Sequence, residues 1–320
     1  MLRFSHALIA LVASSSLASG VAFAHGITPP DTVAAITGRW DITITGADGK
    51  FPSWLEVSPS GNGYLVGRFV GIVGSARPIS RVDFTGGVLR FAIPPQWEQG
   101  TGDLTVEGRL QGEALTGSMT FPDGKRMEWT ATRAPSLRRT TAPKWGPSVR
   151  LFNGTTLAGW HALGANQWQA VNGILQSPRS GANLVTDSAF GDYQLHIEFR
   201  YPKGSNSGVY QRGRYEVQIE DSVTADTQDD LLGAVYGFIS PSEVMAKQPG
   251  EWQSYDITLV GRMITVVANG TTVICNREIP GITGGAIDSN EGEPGPLLLQ
   301  GDHGPIEYRN IRIRRARASR

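Results

Sequence analysis

The stretch N-S-G-V-Y-Q-R-G-R-Y-E-V-Q-I-E-D, from Asn206 to Asp221, decides how the chain is read. Taken as a β-strand, its second half lines up Arg214, Glu216, Gln218 and Glu220 on one face and Tyr215, Val217 and Ile219 on the other, because side chains at every second strand position share a face. The apolar row can pack into a core. The other row is polar and carries carboxylates, so it must meet water or line a cleft.

Working outward, strands with glycine-rich turns fill the region from Val149 to Arg314. The clearest are Trp168 to Gln176 with a break at Asn172-Gly173, Asp192 to Tyr201, Gly208 to Arg212, Arg214 to Glu220 and Glu251 to Val260. Met263 to Ala268, Thr272 to Glu278, Pro296 to Asp302 and Ile306 to Arg314 follow, and Asn269-Gly270 marks a hairpin between the first two of these. This many strands in one stretch fits a concanavalin-like jelly-roll β-sandwich over residues 149–316, with 317–320 a tail.

Upstream, shorter strands are predicted at Arg39 to Thr45, Ser53 to Val57, Gly63 to Val70, Ile79 to Phe84, Val88 to Ile93, Leu104 to Leu110, Ala114 to Thr120 and Arg126 to Arg133. Hairpin turns at Asp48-Gly49, Gly86-Gly87 and Asp123-Gly124 put them in meander order. A closed up-and-down barrel removes the exposed edges of such a meander, so residues 25–134 read as a small lipocalin-like β-barrel. The G-R-W of Gly38 to Trp40, with Arg133 on the last strand, resembles the lipocalin pattern in which a first-strand Trp closes the barrel end under a late Arg; Trp40 as a plain core residue is the alternative. Residues 135–148, with three prolines and no periodicity, read as the linker. The whole chain is therefore expected to be all-β.

Residues 1–24 read as a secretory signal peptide: Arg3, an apolar run from Ala7 to Val12, and a small-x-small site at Ala22-Phe23-Ala24. The run is too short to span a bilayer. Cleavage near Ala24 predicts a periplasmic or secreted protein beginning near His25. The lone Cys275 allows neither a lipobox at the cleavage site nor an intrachain disulfide. Twenty-nine basic and twenty-nine acidic residues cancel without segregating, which argues against nucleic acid and anionic membrane as partners. No partner protein is indicated.

Strand parity extends the polar row. Residues His196, Glu198 and Arg200 share a face, as do Tyr210 with Arg212, and Leu298 with Gln300 and Asp302, with His303 just beyond. If these strands are neighbours, their outward rows form one surface rich in Arg, Gln, Tyr, His and Glu, the side chains that grip hydroxyls and carbonyls in defined geometry. A solvated outer sheet face is the alternative. Trp252, Tyr210 and Trp168 are candidates to stack on sugar rings, with core packing as the other reading. The acidic loop from Asp221 to Leu232 reads as a rim.

Six collinear motifs carry a resemblance: L-F-N-G-T-T-L-A-G-W at Leu151 to Trp160, N-S-G-V-Y at Asn206 to Tyr210, R-Y-E-V-Q-I at Arg214 to Ile219, G-E-W-Q-S-Y-D-I-T at Gly250 to Thr258, P-G-P-L-L-L-Q-G-D-H-G at Pro294 to Gly304, and Y-R-N-I-R-I at Tyr308 to Ile313. Together they resemble the 3-keto-disaccharide hydrolase domain family. The resemblance implies a concanavalin-like jelly roll distantly related to family-16 glycoside hydrolases, acting on glycosides whose C3 hydroxyl has been oxidised to a ketone. Family-16 enzymes carry an E-x-D-x-E strand, and this chain has E-V-Q-I-E at Glu216 to Glu220. Gln218 replaces the middle aspartate, which removes a charge that would tune its neighbours and speaks against a retaining double displacement.

A C3 ketone acidifies the C2 proton, so a base can remove it and the enolate can expel the C1 substituent. Glu216 is the candidate base or acid, with an ion pair to Arg212 or Arg214 as its structural alternative. Arg212 is expected to stabilise the enolate and His303 to act as acid or base, or else to be a turn residue. Glu198, Arg200, Tyr210, Arg214, Gln218, Trp252, Gln300 and Asp302 are expected to bind the oligosaccharide or glycoside. Glu198, Asp302 and His303 could also hold a divalent cation, although no compact ligand motif supports one. The competing functions are a non-catalytic carbohydrate-binding protein and an endoglucanase-like hydrolase of unoxidised glucan.

Overall fold

The computed structural model describes residues 30–223 and 226–317. The signal-peptide reading lies outside the described residues. After a short helix, Pro30–Ile36, eight strands run in sequence: β1 Gly38–Gly46, β2 Gly49–Ser60, β3 Tyr64–Val70, β4 Arg77–Thr85, β5 Val88–Ile93, β6 Leu104–Gln111, β7 Ala114–Thr120 and β8 Arg126–Arg133. Each pairs antiparallel with the next and β8 closes on β1, giving a barrel. Alternation decides its inside: Ile42, Leu55, Phe69, Leu89, Val106, Leu115 and Trp129 share one core. Trp40 belongs to that core and also closes the barrel end. Its indole N–H donates to Ile36 O, and the Arg133 guanidinium lies 3.9 Å from its ring while bonding the carbonyls of Ala35 and Thr37.

Thirteen further strands build the sandwich. They are β9 Val149–Arg150, β10 Trp160–Ala162, β11 Gln169–Val171, β12 Ile174–Ser177, β13 Leu184–Phe190, β14 Tyr193–Arg200, β15 Asn206–Gln211 and β16 Tyr215–Glu220. β17 Gln253–Val260, β18 Met263–Ala268, β19 Thr271–Glu278, β20 Gly295–Leu299 and β21 Ile306–Arg315 complete them. One sheet has five strands in the order β10-β13-β20-β15-β16; the other runs β11-β12-β21-β14-β17-β18-β19, with β9 beside β21. Leu195, Ile197 and Phe199 from the larger sheet and Tyr215, Val217 and Ile219 from the smaller are buried in one core. The hairpin expected at Asn269-Gly270 joins β18 to β19, both residues taking the positive φ that such a turn demands. Strand β13 was absent from the sequence reading. A register break between Val185 and Ala189 and three consecutive exposed residues erase its alternation.

Barrel and sandwich are joined by more than a tether. Trp54 of β2 sits in the sandwich core and meets Phe238 edge-on at 5.3 Å. Arg39 of β1 pairs with Glu278 at 2.7 Å, and Thr43 meets Ser289 at 3.0 Å. Residues 135–148 lie against the sandwich: Pro135 O accepts from Arg262, and Arg139 pairs with Asp192. A Cβ on Gly261 would stand 1.8 Å from Leu137 O, so that glycine is what lets the segment lie so close.

Candidate functional site

The site occupies the outward face of the five-stranded sheet, on the side away from the sandwich core. Ladder pairing places His161, Val185, Leu298, Tyr210 and Glu216 in one row across all five strands. One step along, Gly208 pairs with Gln218 on one side and accepts the Gln300 N–H on the other. Gly208 thus opens a gap between two glutamines, and Glu216 fills it. A Cβ on Gly208 would lie 2.1 Å from Glu216 Oε1, so only glycine admits the carboxyl there.

Glu216 is buried, and its hydrogen-bond partner is the Tyr210 hydroxyl, 2.8 Å from Oε2. The same hydroxyl is 2.9 Å from Gly284 O. A phenol has one proton, and a carbonyl can only accept. Both contacts are hydrogen bonds only when Glu216 brings a proton of its own. Burial points the same way: it raises the Glu216 carboxyl from 4.5 to about 8, against the opposing Tyr210 contact and His303 charge, with Asp302 and Glu220 adding to the rise. Burial, with Glu216 beside it, pushes the Tyr210 phenol far above its ordinary range. Burial thus favours the uncharged form of both groups.

The mouth of the site is ionic. His303 Nδ1 is 2.7 Å from Asp302 Oδ1, and that contact raises the imidazole above 6.5. Both residues are exposed. Glu220 is hydrogen-bonded by Asn206 and raised by burial. The free edge of β16 is covered: Glu216 N–H donates to Thr283 Oγ1, Glu216 O accepts from Tyr236 N–H, and Gln218 exchanges backbone bonds with Gly233 and Ala234. Gln218 Nε2 also donates to Asp230 O in the acidic loop, while the Oε1 atoms of Gln218 and Gln300 are buried without a protein partner. Beyond Tyr210 the face opens into a cleft of about 440 Å³ lined by His161, Asn183, Val185, Leu298 and Ile287.

The structure brings Tyr210, Glu216, Gln218, Gln300, Asp302 and His303 together. Other expected members go elsewhere. Arg212 was expected beside Tyr210, but the chain turns there: Arg214 N–H bonds Gln211 O, and Arg212 and Gly213 both have positive φ. The turn breaks the strand parity and sends the Arg212 guanidinium to Tyr215 Oη, Gly261 O and Glu291 O, away from the Tyr210–Glu216 row. Arg214 binds Asp288 and Glu293 O, so neither arginine forms the ion pair with Glu216 considered above.

Glu198 and Arg200 lie on the outward face of the larger sheet. Glu198 is held by Arg309 and Asn310, Arg200 by Glu307, and the Arg200 and Arg309 guanidiniums lie over the Trp252 ring at 4.8 and 3.9 Å. The single surface expected from parity is therefore two surfaces on opposite sheets. The cation reading fails with it, since Glu198 cannot join Asp302 and His303. Among the described residues no cluster of three or more His, Cys, Asp or Glu side chains is placed to hold a metal ion. Trp168 is core, donating to Ala182 O and stacked on Tyr308 at 6.2 Å. Sequence reading missed Tyr236, Thr283 and Gly284, which come from loops without periodicity.

The family described as the 3-keto-alpha-glucoside-1,2-lyase-like domain matches residues 147–314. The chain belongs to this family. It is accordingly a carbohydrate-active protein with a glycoside-hydrolase-like sandwich, and the matched span contains the whole Glu216 face. No curated protein matches the chain. Among solved structures it is similar to three candidate glycosyl hydrolases from Parabacteroides distasonis. The first is 29% identical over 52% of this chain and 83% of the other, with a TM-score of 0.45. The second is 18% identical over 53% and 94%, with a TM-score of 0.46. The third is 24% identical over 53% and 100%, with a TM-score of 0.43. Among the described residues no helix is long and apolar enough to cross a membrane.

Proposed function

We propose that this chain is an exported enzyme that cleaves the glycosidic bond of 3-keto-glycosides. The observation that carries the reading is a Glu216 buried against the Tyr210 hydroxyl, its carboxyl pushed up to about 8 by burial, with the His303–Asp302 pair at the mouth of the same site. These are an acid and a base whose environments set them to different tasks. His303, oriented through Nδ1 by Asp302, takes the C2 proton with Nε2. The C2–H electron pair moves into C2–C3 and gives an enolate at the C3 oxygen. As the ketone re-forms, the C1–O bond breaks, a C1=C2 double bond forms, and Glu216 delivers its proton to the departing oxygen. One proton is taken and one is given, and solvent restores both groups. Addition of water across C1=C2 makes the net reaction a hydrolysis.

The sugar ring lies against the Glu216 carboxyl that fills the gap at Gly208, with the amides of Gln218 and Gln300 on either side for its polar groups. Gln218 suits this role better than a carboxylate would, because a second negative charge beside the enolate would oppose its formation. Export rests on the N-terminal signal-peptide pattern. The test is turnover of a 3-keto-glucoside beside the unoxidised glucoside. Release of the aglycone from the keto substrate alone is expected. Absence of release from the keto substrate, or equal release from both, would overturn the reading; binding without release would favour the carbohydrate-binding alternative.

A further inference from the structure

The barrel does more than brace the sandwich. Two of its loops reach the rim of the Glu216 site. Residues 71–76, between β3 and β4, carry the sandwich loops that cover that site: Gly285 N–H reaches Ile72 O at 3.4 Å, and a Cβ on Gly284 would stand 2.2 Å from Gly74 O. A Cβ on Gly237 would lie 2.6 Å from the Ser75 Cβ. Gly284 is the residue whose carbonyl accepts from Tyr210, and Gly237 follows Tyr236, whose N–H donates to Glu216 O. The second loop, between β5 and β6, lays Trp97 on the first, its Cδ1 3.0 Å from where a Gly74 Cβ would be. The Trp97 indole also hydrogen-bonds the Tyr236 phenol, which opposes the upward push of burial on that phenol. An indole from one domain thus stands beside the catalytic-face tyrosine of the other.

Trp97 is 64% exposed. An open ring can stack on a ligand ring if it is held in place, and the Trp97 loop is built to hold it still. Glu98 is clamped by Arg77 through both carboxylate oxygens, at 2.7 and 3.2 Å, and accepts the backbone N–H groups of Gln96 and Trp97. Gln96 exchanges two hydrogen bonds with Ser75, fastening this loop to the first. The Glu98 charge beside the indole is occupied by Arg77. An open aromatic face, held still where barrel and sandwich meet, matches the apolar C–H face of a sugar or aryl ring.

We propose that Trp97 of the barrel is the platform for the ring attached at C1 of the substrate, so that the barrel sets leaving-group specificity for the site in the sandwich. This rests on the 3-keto-glycoside reading above and extends it to the leaving group. The experiment compares kcat and KM for a 3-keto-disaccharide and for methyl 3-keto-glucoside in the parent protein, Trp97→Ala and Trp97→Phe. Trp97→Ala is expected to lower the disaccharide-to-methyl ratio of kcat/KM by about three- to tenfold, the range an aromatic contact commands, through KM, with Trp97→Phe recovering most of it. An unaltered ratio in Trp97→Ala overturns the proposal, as does an equal loss of kcat on both substrates, which would mark a structural role. If the parent protein turns over neither substrate, the function itself is overturned and this inference with it. Thermal melting of both variants at the parent temperature confirms that the comparison is between folded proteins.

Discussion

Both outward faces of the sandwich set a glutamate among strand-borne polar and aromatic side chains, yet they treat it in opposite ways. On the larger sheet Glu198 is bonded by Arg309 and Asn310 at 2.6 and 2.9 Å. Burial alone would raise its carboxyl, but those bonds, with the Arg309 and His196 charges, hold it below 4.5. On the smaller sheet burial raises the Glu216 carboxyl to about 8. Among the described residues no cation touches Glu216, whereas Glu198 has one in hydrogen-bond contact. A carboxylate paired in the open is stable and inert; one buried against a phenol keeps its proton and is available to give it away. The aromatic residues follow the same division. Trp252 is covered on the larger sheet by two guanidiniums, while Trp97 stands open at the edge of the smaller.

Four substitutions bear on this contrast. Glu216→Gln is expected to lower kcat on a 3-keto-glucoside by roughly 10²- to 10⁴-fold, the usual worth of a general acid, while Glu198→Gln leaves it within about twofold, as for a surface change; steady-state kinetics on both variants checks this, and equal losses would dissolve the distinction. Next, Gly208→Ala is expected to cost at least roughly 1–3 kcal/mol of stability, the toll of overpacking a filled site, because its methyl group would overlap Glu216 Oε1. Denaturant unfolding measures that loss, and activity should fall with it.

The pH response provides the third test. With burial pushing the Glu216 carboxyl up to about 8 in the fold from its ordinary 4.5, the folded state is expected to bind more protons between those values. That contribution is complete below about 4.5 and is lost as pH rises through about 8. The parent protein should therefore lose melting temperature relative to Glu216→Gln between pH 5 and pH 9, and kcat should fall above pH 8 as the acid ionises. A difference in melting temperature that stays flat with pH would remove the raised carboxyl from the account. The smallest effect is expected from Trp252→Ala: about 0.5–1 kcal/mol of stability from its exposed cation–π contacts, with KM unmoved, read by calorimetry and kinetics side by side.

Much of this was legible in the chain. Alternation in Arg214 to Glu220 assigned the core and the polar row correctly, and the parity of Leu298 with Gln300 brought the second glutamine to the same face. Parity fails at a turn, which is why Arg212 was misplaced: two successive positive-φ residues rotate its side chain off the row. Parity also says which face a side chain takes but not which sheet its strand joins, so Glu198 and Arg200 were assigned to the wrong surface. Trp97 and Tyr236 sit in loops, where no period marks a side chain's direction.

What the sequence determined by itself is local and repetitive: two-residue alternation, hairpin turns at Asn-Gly, Asp-Gly and Gly-Gly pairs, the Trp40 and Arg133 closure of the barrel, and the family motifs around Glu216. Each follows from neighbours a few residues apart or from a matched pattern. The order of strands in the two sheets, the proton on Glu216 and the meeting of Trp97 with Tyr236 were decided only by the tertiary structure. Burial and long-range contact are properties of the folded assembly, and no residue carries them until residues distant in the chain have closed around it.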